Sequence, residues 1–119
     1  MTDRELDAAV AEKVMGARKE DGWWRGPWGT DLECQDTGEG LPRFSSTGDG
    51  MLAVLEEMAK KHMSAHISYG PFQGNFCAFS KEPEGPVAYL GGYKVGQAQE
   101  ETLPRAVCVA ALKALGRGI

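Results

Sequence analysis

The sequence has little of what marks secreted, membrane or metal-binding proteins. It contains three cysteines and two histidines among 119 residues, and no two cysteines form a CxxC pair. A disulfide framework or a zinc knuckle needs more cysteines at closer spacing, so reduced thiols are expected. No apolar run approaches the roughly 20 residues that span a bilayer, and the first residues lack the basic and apolar parts of a signal peptide. We therefore expect a cytoplasmic protein without membrane contact.

An excess of basic residues is also missing. Thirteen Lys and Arg stand against seventeen Asp and Glu, which gives a net charge of −4. Binding to duplex nucleic acid rests largely on cationic contacts with phosphates, so this balance argues against a duplex partner.

Recognised catalytic motifs are absent as well. The sixteen glycines form no P-loop, GxSxG or GxGxxG pattern. His62 and His66 have the spacing of zinc ligands on one helix face, but the hydrophobic period changes between them, so the rings are expected to diverge. We expect no enzymatic activity, no catalytic residue, no metal site and no cofactor.

Three segments carry helix signals. Residues 2–15 begin with a capping box of Thr2 and Glu5, and apolar residues recur every four positions up to Gly16. A second helix is predicted from about Thr47 to Lys61, capped by Ser46. The most apolar helix is predicted from about residue 103 to 115, with Thr102 as its cap, and we expect it to form the centre of the core.

Between the second and last helices the period changes from 3.6 to 2, which is typical of strands. The predicted strands lie at 65–69, 75–80 and 86–90, joined by five-residue turns, and Gly91-Gly92 is expected to end or bulge the third. The polar stretch 96–101 is expected to lead into the last helix. The fold class is therefore α+β, a layered α/β sandwich in the order α-α-β-β-β-α with a three-stranded antiparallel sheet.

The whole chain, residues 1–119, is expected to be a single domain interrupted by an irregular loop at about 17–45. This segment contains many glycines and no sustained periodicity, whereas connections of about four to six residues are usual. Asp31–Cys34 and Leu41–Phe44 are the only strand candidates within it. We favour a functional excursion from the scaffold.

The segments RELDAAVAEKVMG, SSTGDG, FCAFS and TLPRAVCVAALKALG resemble small bacteriophage proteins that carry the "phage ABA sandwich" domain. The resemblance covers the first helix and roughly residues 44–116, and it fails over residues 17–43. It implies a phage or prophage origin, hence a host bacterial cytoplasm, and a three-layer α/β fold. Because the family has no assigned function, the resemblance implies no catalytic residue.

All three tryptophans fall within six residues, beside one arginine, in the run Trp23-Trp24-Arg25-Gly26-Pro27-Trp28. Indole rings and a guanidinium can stack on a flat ligand such as a nucleobase and hold its phosphate. The alternative is that the rings fix an irregular loop to the helices. Adjacent Trp23 and Trp24 are expected to point in different directions, which leaves at least one ring accessible.

The leading functional hypothesis is a non-catalytic phage accessory protein that binds a small nucleotide signal and so inhibits host antiviral immunity. The first alternative is direct inhibition of a host defence protein such as a CRISPR nuclease, and the second is a structural or morphogenesis protein. We expect a homo-oligomer, a dimer or higher, because so small a domain has little depth for a closed pocket. The candidate binding residues are Trp23, Trp24, Arg25, Trp28, His66 and Tyr69.

Overall fold

A computed structural model describes residues 2–28, 40–70, 74–81 and 93–116, with the side chains of residues 93 and 94 excluded. In this part of the chain there are three helices and five strands. They are α1 (Asp3–Lys13), β1 (Arg18–Glu20), β2 (Trp23–Arg25), α2 (Gly48–Lys60), β3 (Met63–Gly70), β4 (Gly74–Lys81), β5 (Tyr93–Glu100) and α3 (Leu103–Ala114).

The helix boundaries follow local capping chemistry. The predicted capping box is present at α1, where the Thr2 hydroxyl accepts a hydrogen bond from the Glu5 backbone and the Glu5 carboxylate accepts one from the Thr2 backbone. The predicted cap of α3 is also confirmed, because the Thr102 hydroxyl accepts from the Arg105 backbone. At α2 the prediction was one residue early. The cap is Thr47, whose hydroxyl accepts from Gly50 N at 3.0 Å, while Ser46 is exposed.

The three long strands form an antiparallel sheet in the order β3-β4-β5. The first two predicted strands are confirmed and slightly longer. The predicted strand at 86–90 lies outside the described residues. The third strand of the sheet, which pairs with β4, is Tyr93–Glu100, and it includes most of the polar stretch that was expected to lead into the last helix. This segment looks polar in the sequence because Gln97 and Gln99 are exposed, while Ala98 between them is buried. A register shift opposite Phe79 and Ser80 marks an irregularity in the pairing of β4 with β5.

Helix α3 lies against the sheet, as predicted, and seven consecutive residues from Ala106 to Leu112 are buried. The approach is close because Gly96 faces the helix: a Cβ built there would lie 2.5 Å from Ala110 O and would also strike Ala114 N. Helices α1 and α2 both pack on α3, so all three helices are on the same side of the sheet. The predicted α+β layered fold and element order are confirmed.

Residues 17–45 are more regular than the sequence suggested. Residues 18–25 form a two-stranded antiparallel hairpin, a separate sheet that the sequence analysis missed. Leu41–Phe44 is not a strand, but Leu41, Pro42 and Phe44 are buried. The other strand candidate, Asp31–Cys34, lies outside the described residues.

A buried carboxylate holds the segment before α2 against α1. Asp7 accepts hydrogen bonds from Ser45 N at 2.8 Å and from Ser45 Oγ at 2.7 Å. Arg4 pairs with the same carboxylate at 3.2 Å and donates to Leu41 O at 3.4 Å. These contacts join α1 to a segment almost 40 residues away, so this part of the predicted loop is firmly placed.

None of the helices in the described ranges is both long and apolar enough to cross a membrane.

Candidate functional site

The hairpin that carries two of the tryptophans is closed by a two-residue turn. Asp21 and Gly22 both have positive φ, 52° and 78°, which is the backbone geometry of a type I′ turn. Asp-Gly between two extended segments is among the strongest sequence signals for a hairpin. The signal was present in the sequence and was overlooked because β1 consists only of charged residues.

The register of the hairpin determines which side chains share a face. Three residue pairs lie directly opposite one another: Arg18 and Arg25, Lys19 and Trp24, Glu20 and Trp23. Because side chains alternate along a strand, the first and third pairs project from one face and the second pair from the other. We call the face that carries Arg18, Glu20, Trp23 and Arg25 the outer face of the hairpin.

Trp24 fixes the opposite face to the protein. Its side chain is only 9% exposed and belongs to the main hydrophobic cluster. A further contact holds the residue before β1 to the first helix, since Ala17 N donates to Ala11 O at 2.8 Å. The expectation that Trp23 and Trp24 point in different directions agrees with this register, and Trp24 is the ring committed to the core.

Trp28 packs on the protein body as well. Its ring meets Phe44 edge to face, with centroids 5.6 Å apart and planes at 69°. The same ring folds over Gly26, where an added Cβ would overlap it. The buried Nε1 of Trp28 has no hydrogen-bond acceptor among the described residues.

Trp23 is partly buried, and it packs against the segment that precedes α2. A Cβ at Gly40 would lie 2.5 Å from Cε2 of the indole, and Gly40 also has a φ of 70° that favours glycine. None of the three tryptophans is fully exposed. Their packing favours the alternative in which rings fix the segment, and only Trp23 lies on the outer face of the hairpin.

The outer face carries two positive charges at the end of the hairpin that is farther from the Asp21-Gly22 turn. Arg18 and Arg25 are both exposed and directly opposite each other. Arg18 Nε pairs with Glu20 Oε1 at 2.8 Å, with exposed side-chain fractions of 82% and 50%. Arg25 makes no hydrogen bond or ion pair with any residue that the structure describes. The candidate site is therefore this pair of arginines beside Trp23.

The other two candidate residues lie elsewhere, on β3 of the large sheet. His66 and Tyr69 are separated by an odd number of positions, so their side chains project from opposite faces. Both are exposed, and Tyr69 is 76% exposed at the end of the strand. The structure therefore does not bring them together, although His66 shares a face with Ser68 and with Phe76 of β4.

A polar cleft of about 440 Å³ opens where α1 and α3 begin and β5 ends; its lining residues are Thr2, Asp3, Glu100, Glu101, Thr102 and Arg105. Arg105 Nη1 is 2.6 Å from Asp3 Oδ1, and Arg105 Nε is 2.9 Å from Glu100 Oε1. The hydrogen bond to Glu100, ahead of the contacts with Asp3, raises the pKa of Arg105. Since two carboxylates already hold the guanidinium, we assign this cleft a structural role.

Sequence reasoning missed the cleft because Asp3 and Arg105 are 102 positions apart and no local pattern links them. Glu100 was expected to lie in the polar stretch that leads into the last helix, whereas it is the last residue of β5 and pairs with Arg105.

The described cysteines are poorly suited to nucleophilic chemistry. Cys77 and Cys108 are fully buried, as expected for core residues. Burial raises the pKa of Cys77 to about 12 and that of Cys108 well above its usual value, so both are thiols at neutral pH. Cys34 lies outside the described residues. In the described ranges no three His, Cys, Asp or Glu side chains converge on a possible metal position.

Compared with known proteins, the chain matches no family model, no curated protein and no solved structure.

Proposed function

We propose that this protein acts by binding rather than by catalysis, and that its contact surface is the outer face of the hairpin β1–β2. The observation that carries the proposal is the exposed guanidinium of Arg25, which has no partner among the residues that the structure describes and lies directly opposite the exposed Arg18. Like charges directly opposite one another across a strand pair are destabilising. A ligand with negative charge removes that repulsion.

The ligand class that fits best is a small nucleotide. A few local cations suffice for such a ligand, so the net charge of −4 does not oppose the proposal. Trp23 supplies an aromatic ring two residues from Arg25 on the same face, while Trp24 on the reverse face is in the core and Trp28, which follows the hairpin, packs against that core. A base cannot stack between two tryptophans here, because only Trp23 lies on the outer face of the hairpin.

The biological setting of the proposal rests on the resemblance to phage ABA sandwich proteins. It makes the chain a phage accessory protein of the host bacterial cytoplasm that captures a nucleotide signal of antiviral defence. The alternative function is direct inhibition of a host defence protein, for which exposed arginines beside a partly exposed tryptophan are equally suitable contact residues.

Thermal unfolding with and without nucleotide mixtures tests the proposal. A ligand at about 100 times its Kd adds roughly 2.7 kcal/mol to the free energy of unfolding. We expect a rise in Tm for the wild type and none for Arg25→Ala, with Lys113→Ala, an exposed cation on α3, as the matched control. In parallel, expression in a defended host should protect an infecting phage, and Arg25→Ala should abolish that protection. If Arg25→Ala matches the wild type in both assays, the hairpin is not the contact surface.

A further inference from the structure

We infer that Arg18 and Arg25 together bind one phosphoryl group, and that Glu20 is an internal competitor which occupies Arg18 until the phosphoryl group displaces it. The inference rests on the proposed function and specifies the chemistry of that same site. It adds two residues, Arg18 and Glu20, that the sequence analysis did not consider.

The geometry of the pair suits a phosphoryl group. Residues directly opposite each other in an antiparallel pair have Cβ atoms about 4.5–5.5 Å apart, so two long guanidinium side chains can converge on one small anion. Arginine donates parallel hydrogen bonds to phosphate oxygens, and two arginines can occupy several oxygens of a single phosphoryl group. Register pairs Arg18 with Arg25, and both side chains are exposed, so a ligand in solution can reach them.

The hairpin is positioned before any ligand arrives. Trp24, on the reverse face, is in the core, and the Asp21-Gly22 turn sets the register that places Arg18 opposite Arg25. A backbone that is already ordered loses little conformational entropy on binding, which favours a small ligand with few contacts.

Glu20 introduces a competition that the ligand must overcome. Its carboxylate is 2.8 Å from Arg18 Nε and lies on the same face, two residues along β1. Exposed ion pairs of this kind contribute little to stability, so a phosphoryl group with more charge and more acceptor oxygens can replace the carboxylate. Removing the carboxylate charge should therefore strengthen binding rather than weaken it.

Trp23 sets the orientation in which a nucleotide can lie across the site. It lies two residues from Arg25 on the outer face, a separation of about 7 Å along the strand. This distance is comparable with the span from the phosphate to the base of one nucleotide. A nucleoside monophosphate can therefore place its phosphoryl group on the arginines and its base at the partly exposed indole.

The experiment uses the full chain and follows the three indole N–H signals in proton–nitrogen correlation spectra. The probes are inorganic phosphate, adenosine monophosphate and adenosine, so that the phosphoryl group and the base are tested separately. We expect phosphate and the monophosphate to shift hairpin amide signals, the monophosphate also to shift the Trp23 indole signal, and adenosine to bind at least tenfold more weakly. The Trp24 and Trp28 indole signals serve as internal controls and should remain in place.

Four variants test the roles of the residues. Arg18→Ala and Arg25→Ala should each weaken monophosphate binding at least tenfold, and Arg25→Lys should weaken it less, since it keeps the charge and loses the paired donors. Glu20→Gln should tighten binding several-fold, an effect that general damage to the hairpin would not produce. Lys113→Ala should bind as the wild type does.

The inference is overturned if either alanine variant binds as the wild type does, or if Glu20→Gln fails to tighten binding. It is also overturned if phosphate and the monophosphate leave the hairpin signals unchanged. If neither probe shifts the hairpin signals but Arg25→Ala still abolishes phage protection, the hairpin binds a host defence protein and not a nucleotide. If Arg25→Ala also leaves phage protection unchanged, the proposed function itself is wrong.

Discussion

The carboxylate of Asp7 accepts two hydrogen bonds from Ser45, one from the backbone N–H at 2.8 Å and one from the hydroxyl at 2.7 Å, in a place where both residues are almost fully buried. A buried carboxylate loses the solvation that stabilises its charge. Desolvation outweighs the hydrogen bonds from Ser45 and the charge of Arg4, so the pKa of Asp7 is raised above its usual 3.8.

The raised pKa of Asp7 predicts a pH dependence of stability. When the pKa is higher in the folded state than in the unfolded state, the unfolded chain releases this proton first, and the free energy of unfolding falls as pH rises above about 4. We expect Asp7→Asn to lack this contribution. Urea unfolding at several pH values between 4 and 7 measures it as the difference between the two proteins.

Asp7→Ala measures how much the hydrogen bonds from Ser45 to the Asp7 carboxylate contribute to the free energy of unfolding. It leaves the buried Ser45 N–H without its acceptor, at a cost of about 1–3 kcal/mol. If the stability difference between wild type and Asp7→Asn is constant across this pH range, the carboxylate does not titrate as its burial requires.

We predict that Trp24 is needed for stability, whereas its neighbour Arg25 is needed for binding but not for stability. Trp24→Ala removes a ring that is 9% exposed and should lower the free energy of unfolding by about 3–5 kcal/mol. Arg25→Ala changes an exposed side chain and should stay within about 0.5 kcal/mol of the wild type. Thermal and urea unfolding measure both. Equal stability of the two variants would show that the hairpin does not depend on the core.

The last helix is predicted to be the element that tolerates least change. Leu112 is 1% exposed, and Leu112→Asp places a carboxylate without a partner in the core, at a cost of several kcal/mol. We expect this variant to be insoluble on expression. Leu52→Asp makes the same substitution on α2 at a position that is 53% exposed, and it should fold normally. A soluble Leu112→Asp with unchanged melting would contradict the observed core.

The contact between β5 and α3 depends on the absence of a side chain at Gly96. Gly96→Ala would force the strand and helix apart, and we expect a loss of about 1–3 kcal/mol. Gly48→Ala is the matched control because an added Cβ meets nothing within 4 Å there. Chemical unfolding compares the two, and a neutral Gly96→Ala would mean that the close approach is easily relieved.

Self-association remains a prediction. Among the described strands, β3 and β5 each pair with a neighbour on one side only, and unpaired strand edges favour contact with another chain. We expect light scattering to give twice the monomer mass at high micromolar concentration. A strict monomer near 12.8 kDa would exclude a binding pocket formed between subunits.

Local chemistry explains the parts of the fold that the sequence predicts correctly. The caps at Thr2 and Thr102 and the alternation in β3 and β4 depend on residues close together in the chain. The strand β5 was missed because one of its faces meets solvent, so Gln97 and Gln99 make it resemble a loop. Arg18 was not chosen from the sequence because the Asp21-Gly22 turn, which sets its register with Arg25, was not recognised between a charged and an aromatic segment.

The packing of α1 on α3 has a consequence for the order of events during synthesis. The first helix emerges from the ribosome with an apolar face, including Leu6 and Val10, whose partner is made about 100 residues later. Until residues 103–114 have been translated, neither this face nor the sheet has its central partner, so the nascent chain keeps apolar surface available to chaperones. Folding of this domain is thus expected to finish only after residues 103–114 have left the ribosome, and its yield should depend on the chaperone supply of the cell that makes it.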